Sequence, residues 1–341
     1  MMADTLTATE TSGEILGQST ALRFLQAAIA RDRVTTAYTF IGPDGVGKSL
    51  TARWFARALL CPTRAANGDL APCDRCTACT RVNQLNHPDL LWVQPTYKHQ
   101  NRLLTPAEAE AAGLKRKTPP QVRLEQIRSL AAFAARPPLE ASQSVIAIAG
   151  AETLAESPAN ALLKTLEEPG AARIILMATS RSDLLPTLIS RCQLVPFRRL
   201  SAAQMQTVLA RHPELPEVPS TLLDIAAGSP GKALEAISQW QSLPTDLLEQ
   251  LEAWPRSPRH ALTLGRAIAQ QLDLPAQLWL VAYLQHHFWH QQGSQACLTR
   301  LEIIRCHLLA SAQPQLTWET YLAPLNTSVP QTQKGIPHYA K

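Results

Sequence analysis

The chain has 341 residues, of which 45% are hydrophobic and 17% are charged, enough for two or three domains with sizeable cores. Its formal net charge of +5 is too mild to identify a nucleic-acid-binding protein by itself. The polar N-terminal residues have neither region of a signal peptide, and no apolar run reaches the roughly 18 residues that span a bilayer. We therefore expect a cytoplasmic protein without a membrane partner.

The first predicted elements lead into a phosphate-binding loop. A helix begins after a Ser19 cap and repeats apolar residues at a helical spacing, and a buried strand covers residues 37–41. The next eight residues, GPDGVGKS, fill every fixed position of the phosphate-binding loop pattern. A second helix is predicted over residues 49–60, so the loop has the strand before it and the helix after it that such a loop requires.

The residues of this loop suit ATP binding with Mg²⁺. Glycines let successive backbone N–H groups turn toward phosphates, a lysine neutralises the phosphate charge, and a serine hydroxyl can ligate Mg²⁺. A glycine-rich turn could match the pattern by chance, but the flanking strand and helix favour nucleotide binding. The candidate nucleotide-binding residues of the loop are Gly42, Gly45, Gly47, Lys48 and Ser49.

Four of the seven cysteines form a compact group with metal-ligand spacing. Four thiolates can close a tetrahedral zinc site, and short Cys-x2-Cys arcs let one turn supply neighbouring ligands. An iron–sulfur cluster also uses such spacing, and free thiols are a third alternative, but no other redox signal is visible. We predict a closed Zn²⁺ site, with a role in folding or docking and not in catalysis, at Cys61, Cys73, Cys76 and Cys79.

The stretch after residue 144 predicts a parallel sheet with crossover helices. It alternates apolar strands with a helix, over residues 145–148, 159–168 and 174–178. Phosphate-binding folds carry magnesium-holding and water-activating carboxylates at the end of the first of these strands, where this chain has Ala149 and Gly150. The loop is present, and the hydrolytic acids are missing.

Other segments leave alternatives open. The basic residues at 115–117 fit a solvated loop better than a nucleic-acid contact, and a helix is predicted over residues 122–135. In the last third, amphipathic helices are predicted from Leu280, Leu284 and Phe288 and from a similar repeat at residues 301–308. His286 and His290 lie one turn apart, but polar helix surface is favoured over a metal site because no third ligand is identifiable.

Three motifs resemble the delta-prime subunit family of the bacterial DNA polymerase III clamp loader. They are QVRLEQIR at residues 121–128, PANALLKTLEEP at 158–169 and SRC at 190–192, and the cysteine module belongs to the same pattern. The resemblance covers roughly residues 15–240. It implies an AAA+ protein of α/β class, with a P-loop parallel sheet, crossover helices and an inserted zinc module, followed by a small helical lid and an all-α collar domain.

The resemblance sets expected domain boundaries. The chain divides into a disordered N-terminus, a P-loop domain with the zinc module, a lid, a collar domain and a disordered tail, over residues 1–13, 14–198 (module at 61–79), 199–241, 242–325 and 326–341. Within the lid, Ser201 is expected to cap a helix that runs through Arg211.

The resemblance also implies a function. Family members help load the sliding clamp onto primed DNA, in a pentameric ring with gamma/tau and delta subunits, so partners include the clamp and primer-template DNA. The chain would be a component of a DNA-directed DNA polymerase, a nucleotidyltransferase by association. Arg191 matches an arginine finger that reaches ATP on the neighbouring gamma/tau subunit, and Thr179 matches the first sensor position. From spacing alone, Arg191 reads as a surface arginine at a helix end.

Two departures from the gamma/tau pattern predict a subunit that does not hydrolyse ATP efficiently. The ATPase subunits carry two acids after the strand and an arginine in the lid, and this chain has Ala149, Gly150 and Gly231 there. Glu152 is close in sequence but beyond the turn, so it is not expected to replace them. The alternatives are an active gamma/tau-type ATPase, which the intact loop supports, and a zinc-centred DNA-binding module with tight, salt-sensitive affinity.

Overall fold

The computed structural model of the chain describes residues 15–64, 71–114, 118–212, 215, 218–252, 255, 257–291 and 295–322. The expected disorder of the two ends and the alternatives for residues 115–117 lie outside the described residues. Contacts divide the chain into two compact units, Met1–Gln241 and Ser242–Lys341, each described by itself.

The first unit contains a parallel sheet and a small hairpin. The strands described in it are β1 (Ala37–Ile41), β2 (Leu90–Val93), β3 (Tyr97–His99), β4 (Arg102–Leu104), β5 (Ser144–Ile148), β6 (Ala172–Ala178) and β7 (Gln193–Pro196). The sheet has five strands in the order β2-β5-β6-β1-β7, and every neighbouring pair is parallel. Strands β3 and β4 pair with each other in an antiparallel hairpin.

Helices connect these strands and follow them. They are α1 (Ser19–Ala30), α2 (Lys48–Leu60), α3 (Thr77–Asn83), α4 (Pro106–Ala111), α5 (Leu124–Ala135), α6 (Glu156–Glu167), α7 (Pro186–Ile189), α8 (Ala202–Leu209), α9 (Ser220–Ala226) and α10 (Pro230–Ser242). The predicted α/β class, with a parallel sheet, crossover helices and a cysteine module, is therefore confirmed.

Both faces of the sheet are covered, which explains why its strands read as continuous apolar runs. Along β5, Val145 and Ala147 join a core that includes the apolar faces of α1, α2 and α3. Ile146 and Ile148 point to the other side and pack in a core with α5, α6 and α7. All five residues of β5 are buried. The strand is therefore held from both sides, and its end is a fixed platform for the residues that follow.

Some predicted boundaries needed correction. Strand β1 has the predicted bounds, but Ser19 is the first residue of α1 and not its cap. Gln18 occupies the cap position, and its side-chain amide donates instead to the carbonyl oxygens of Val46 and Arg198. Helix α6 begins three residues before the predicted start, because Pro158 lies in its first turn, where its missing N–H is not needed.

A buried carboxylate fixes the entry to the sheet. Asp89 is fully buried just before β2 and accepts hydrogen bonds of 2.6, 2.8 and 2.8 Å from the backbone N–H groups of Leu139, Glu140 and Ala141. Burial alone would raise the pKa of Asp89, but these hydrogen bonds outweigh it and hold the pKa below its usual range. The charged carboxylate thus ties the loop before β5 to the start of β2.

The last part of the first unit and the second unit are helical. Ser201 caps α8 as predicted, with Gln204 completing a capping box, but α8 ends at Leu209. The helices described in the second unit are α11 (Thr245–Glu252), α12 (Pro258–Gln271), α13 (Leu274–Gln291), α14 (Gln295–Leu309) and α15 (Pro314–Tyr321). The predicted apolar faces of α13 and α14 are buried. Across the described residues, none of the helices combines the length and apolarity that a membrane span requires.

Candidate functional site

The phosphate-binding loop forms the turn between β1 and α2, as predicted. Gly47 precedes the helix, and Lys48 and Ser49 are its first two residues. The Lys48 ammonium donates to the carbonyl oxygens of Gly42 and, at 2.8 Å, Pro43, and lies 3.3 Å from Asp44 Oδ1. Burial lowers the pKa of Lys48, and the charge of Asp44 opposes this effect. The lysine is therefore folded back onto its own loop.

The start of α10 packs directly on this loop. Ser229 Oγ donates to the carbonyl oxygen of Asp44, and Gly231 N donates to the carbonyl oxygen of Gly45 at 2.9 Å. A Cβ atom on Gly231 would lie 2.6 Å from Gly45 Cα, which is closer than two carbon atoms approach without movement. The position that the resemblance aligns with the gamma/tau lid arginine therefore has no room for a side chain in this arrangement.

The end of β5 also has no room for an acid at its second position. Ala149 N donates to the carbonyl oxygen of Val93 at 2.8 Å, which continues the sheet by one residue. Gly150 then turns with φ +63°, and a Cβ on it would lie 2.6 Å from Pro95 Cγ. Both the left-handed backbone and the contact with Pro95 favour glycine. The missing acid at 150 is thus matched by the surrounding structure.

Glu152, which the sequence placed beyond the turn after β5, lies within range of the charges of the loop. Burial raises the pKa of Glu152, the charges of Asp44 and Asp183 add to this effect, and Lys48 opposes it. Glu152 is therefore within electrostatic range of the P-loop lysine. Thr179 Oγ1, after β6, donates a 2.8 Å hydrogen bond to Asp183 Oδ2. That Glu152 does not replace the missing acids, and that Thr179 contributes to a nucleotide site, remain predictions.

Arg191 lies just before the N-terminal end of β7, whereas the P-loop follows the C-terminal end of the neighbouring strand β1. In the parallel register of β1 and β7, Gln193 lies opposite Tyr38. Arg191 comes two residues before Gln193, whereas the loop begins at Gly42, four residues after Tyr38. Arg191 and Cys192 lie in a turn, so the extended part of this separation is the four residues from Tyr38 to Gly42, about 13 Å. Arg191 and the P-loop of its own chain therefore lie toward opposite ends of the parallel strands.

The Arg191 guanidinium is held at the surface by hydrogen bonds. Its Nε and Nη2 donate to Glu167 Oε1 at 3.0 and 2.7 Å, and Nη1 donates to the carbonyl oxygen of Thr187 at 3.0 Å. Glu167 is the last residue of α6. Crossover helices run antiparallel to the strands, so the C-terminal end of α6 lies level with the N-terminal ends of the strands, where β7 starts. That rule could have predicted the pair from sequence.

The four predicted zinc ligands lie together. Their Sγ atoms are all within 4.8 Å of one another, with 3.9 Å between Cys61 and Cys76 and 4.0 Å between Cys73 and Cys79. A Zn–S bond of about 2.3 Å requires Sγ atoms about 3.8 Å apart at the corners of a tetrahedron. The four thiols thus fit one tetrahedral ion. Ligands of an iron–sulfur cluster bind several irons, which needs more space between the sulfurs.

The cysteine module is joined to α2 by the chain at Cys61 and by an ion pair. Cys61 directly follows α2, and Cys76 caps α3 by accepting a hydrogen bond from the backbone N–H of Cys79. Arg57 of α2 forms a 3.1 Å ion pair with Asp74, which lies between Cys73 and Cys76 in the sequence. Burial raises the pKa of Cys73, but hydrogen bonds from Thr63 and two backbone N–H groups outweigh it and lower the pKa to about 6. A thiolate, the form that binds metal, is favoured there.

Within the described part of the chain, this is the one place where three or more histidine, cysteine or acidic side chains converge as a metal site would require. The ring centroids of His286 and His290 lie 4.3 Å apart on α13, but no third histidine, cysteine or acidic side chain among the described residues joins them. The preference for polar helix surface over a metal site at this pair therefore still stands.

Comparison with known sequences decides the family. A family profile described as DNA polymerase III, delta subunit, matches residues 17–201, more than half of the chain. The chain belongs to this family. A second profile, described as cyanobacterial DNA polymerase III delta prime, C-terminal domain, matches residues 203–325, so the chain is a delta-prime family member, as the resemblance implied.

Individual relatives agree with this assignment. The delta-prime family member is 30% identical to DNA polymerase III subunit delta' of Bacillus subtilis over 61% of this chain and 56% of that protein. It is 33% identical to the Pseudomonas aeruginosa subunit delta' over 57% of this chain and 53% of that protein. It is also 28% identical to DNA polymerase III subunit tau of Bacillus subtilis, over 70% of this chain and 39% of that protein. The match spans little more than half the length of the delta-prime relatives.

Proposed function

We propose that this chain is a stator-like clamp-loader subunit that does not hydrolyse ATP efficiently and donates Arg191 to the ATP site of a neighbouring subunit. In this role it works in the cytoplasm as part of the DNA polymerase III holoenzyme and helps load the sliding clamp onto primer-template DNA. Its partners in a pentameric ring are gamma/tau and delta subunits. Family membership supports a place in the clamp loader. The geometry around Arg191 and around the P-loop supports weak hydrolysis by this chain and a contribution to a neighbour's ATP site.

The observation that carries the proposal is the placement of Arg191. It precedes β7, at the ends of the strands opposite its own P-loop, and lies at the surface with a planar fork that suits the oxygens of a phosphate group. An arginine so placed can act on nucleotide in another subunit. Arginine fingers donated in trans are worth about 10³–10⁵ in rate in GTPases, because they neutralise charge in the transition state.

The loop of this chain supports weak hydrolysis at most. Ala149 and Gly150 supply no ligand for Mg²⁺ and no base for water, and the packing of Gly231 on Gly45 leaves no room for a lid arginine. Positioning and charge neutralisation are the main contributions of a protein to phosphoryl transfer. The loop can still bind ATP through Lys48 and backbone N–H groups, with Ser49 as the residue that would ligate Mg²⁺.

We also propose that the four cysteines hold structural Zn²⁺. The four donors are cysteine sulfurs, their spacing fits a single tetrahedral ion, and all four positions are filled by protein. A bound ion would link the end of α2 to α3. It would thereby support folding of the module or a docking surface.

The test is DNA-stimulated ATP turnover by a clamp loader reconstituted from cognate subunits, with intact chain or Arg191→Ala. We expect the variant to remove most of the turnover while assembly is unchanged. Arg128→Ala, an exposed arginine on α5, is the matched control and should leave turnover unchanged. Equal turnover with intact chain and Arg191→Ala would show that the arginine is only structural.

A second measurement separates the gamma/tau-type alternative. The chain alone should show no ATP turnover above background, with or without DNA. Turnover by the isolated chain that Lys48→Ala abolishes would support an active ATPase instead. Tight, salt-sensitive DNA binding by the isolated chain would favour the DNA-binding module.

A further inference from the structure

Arg191 is held by Glu167, which belongs to the PANALLKTLEEP motif at residues 158–169. Glu167 Oε1 accepts from both Nε and Nη2 of Arg191, at 3.0 and 2.7 Å. The pair is half-exposed, with 38% of the arginine side chain and 52% of the glutamate side chain accessible. At such exposure an ion pair adds little to fold stability. Its effect is therefore on where the guanidinium points.

The two hydrogen bonds use only one side of the guanidinium. Nε and Nη2 face Glu167, and Nη1 donates to the carbonyl oxygen of Thr187 at 3.0 Å. The remaining N–H groups are one on Nη2 and one on Nη1, and the latter has a long 3.4 Å contact with Ser190 Oγ. These two form the outer edge of the fork, which is the edge that binds two phosphate oxygens. The inner side is fixed, and on the outer edge only the long contact of Nη1 with Ser190 Oγ would have to be released for phosphate to bind.

We propose that Glu167 is a positioning residue for Arg191, which holds the guanidinium plane so that its outer edge faces phosphate on the neighbouring subunit. This inference rests on the proposed function of Arg191. An arginine side chain has several rotatable bonds, and freezing them only in the transition state would slow the reaction. The hydrogen bonds to Glu167 and Thr187 restrict them beforehand, so less freedom is lost when the phosphate is bound.

The geometry specifies which chemical property of Glu167 matters. Both donors converge on Oε1, so a single acceptor oxygen at that point suffices. The amide oxygen of glutamine can occupy the same position, whereas alanine removes it. A glutamine should therefore rescue the alanine variant, although it carries no charge.

The experiment uses the reconstituted clamp loader with five forms of this chain: intact, Glu167→Ala, Glu167→Gln, Arg191→Ala, and Glu167→Ala combined with Arg191→Ala. Glu168→Ala, the adjacent exposed carboxylate, is the matched control. For Glu167→Ala we expect kcat for DNA-stimulated turnover to fall about three- to tenfold, with KM for ATP changed less than twofold. Glu167→Gln should restore most of the lost turnover, and thermal melting checks that each variant is folded.

The combined variant distinguishes positioning from a general structural role. If Glu167 acts through Arg191, then Glu167→Ala has no further effect once Arg191 is alanine. The inference is overturned if Glu167→Ala matches the intact chain, if its loss persists in the combined variant, or if glutamine is as poor as alanine. If Arg191→Ala itself has no effect, it is the proposed function that fails, and the two failures are distinct.

Discussion

Replacing Gly231 by alanine sets two physical effects against each other. Gly231 is the second residue of α10, and in a helix alanine is usually better than glycine by about 0.5–1 kcal/mol. Here the new Cβ would meet Gly45 Cα at 2.6 Å and Gly45 O at 3.2 Å. The atoms that it meets belong to backbone, which cannot turn away as a side chain can. We expect the packing effect to win.

The magnitude follows from these contacts. Overfilling a packed site costs about 1–3 kcal/mol, and the upper half applies because a backbone atom is displaced. Moving α10 away also weakens the hydrogen bonds from Gly231 N to Gly45 and from Ser229 to Asp44, each worth about 0.5–1.5 kcal/mol. After the helical preference is subtracted, the free energy of unfolding should fall by about 2–4 kcal/mol. For a domain of this size that lowers the melting temperature by about 4–16 °C.

The assay is thermal and urea unfolding of the purified chain, followed by circular dichroism. Lys232→Ala, in the same helical turn but exposed, is the matched control, and its stability should change by less than about 0.5 kcal/mol. Binding of a fluorescent ATP analogue to Gly231→Ala reports whether the displaced loop still accepts nucleotide. An alanine variant as stable as the intact chain, or more stable, would refute the close packing of α10 on the P-loop.

Two other predictions concern the parts that hold the fold together. Asp89→Asn should lower the free energy of unfolding by about 2–4 kcal/mol near neutral pH, because an amide cannot accept three N–H donors as a carboxylate does. Since the pKa of Asp89 is lowered in the folded state, its contribution is present above about pH 4 and is lost as the pH falls further, so urea unfolding should show the difference between the two proteins shrinking there. The purified chain should contain one zinc ion by elemental analysis, and iron instead of zinc would contradict the assignment. Cys76→Ala should abolish that zinc and lower the melting temperature, with about 1 kcal/mol from the lost cap of α3 alone.

Local patterns predicted the elements of the sheet well, because both faces of its strands are buried. Continuous apolar runs such as β1 and β5 have few alternative structures, and the P-loop follows from its glycines and lysine. The predicted cap of α1 was wrong, because contacts with distant residues place Gln18 at the cap position. Gln18 is held by Val46 and Arg198, the latter 180 residues away in sequence, and no local pattern records such a contact.

Two contacts near the sites depend on how separate segments fold together, which local patterns did not predict. The Glu167 contact with Arg191 spans 24 residues. The side chains meet only because the C-terminal end of α6 lies level with the N-terminal end of β7. Glu152 comes within range of Lys48 because a tight turn after β5 directs the chain back toward the loop. The four cysteines, in contrast, were found from spacing, because short arcs of chain place ligands side by side.

The contact between Gly150 and Pro95 has a consequence for the history of this protein. An acid at 150 would have to adopt a left-handed backbone and displace the ring of Pro95, and Ala149 would still be unable to bind metal. Under the function proposed above, a descendant therefore could not gain hydrolysis by one substitution. The first change would only weaken the fold, and selection would have no activity to retain until further changes had followed. The intact P-loop can thus persist beside two positions that are difficult to change back to acids.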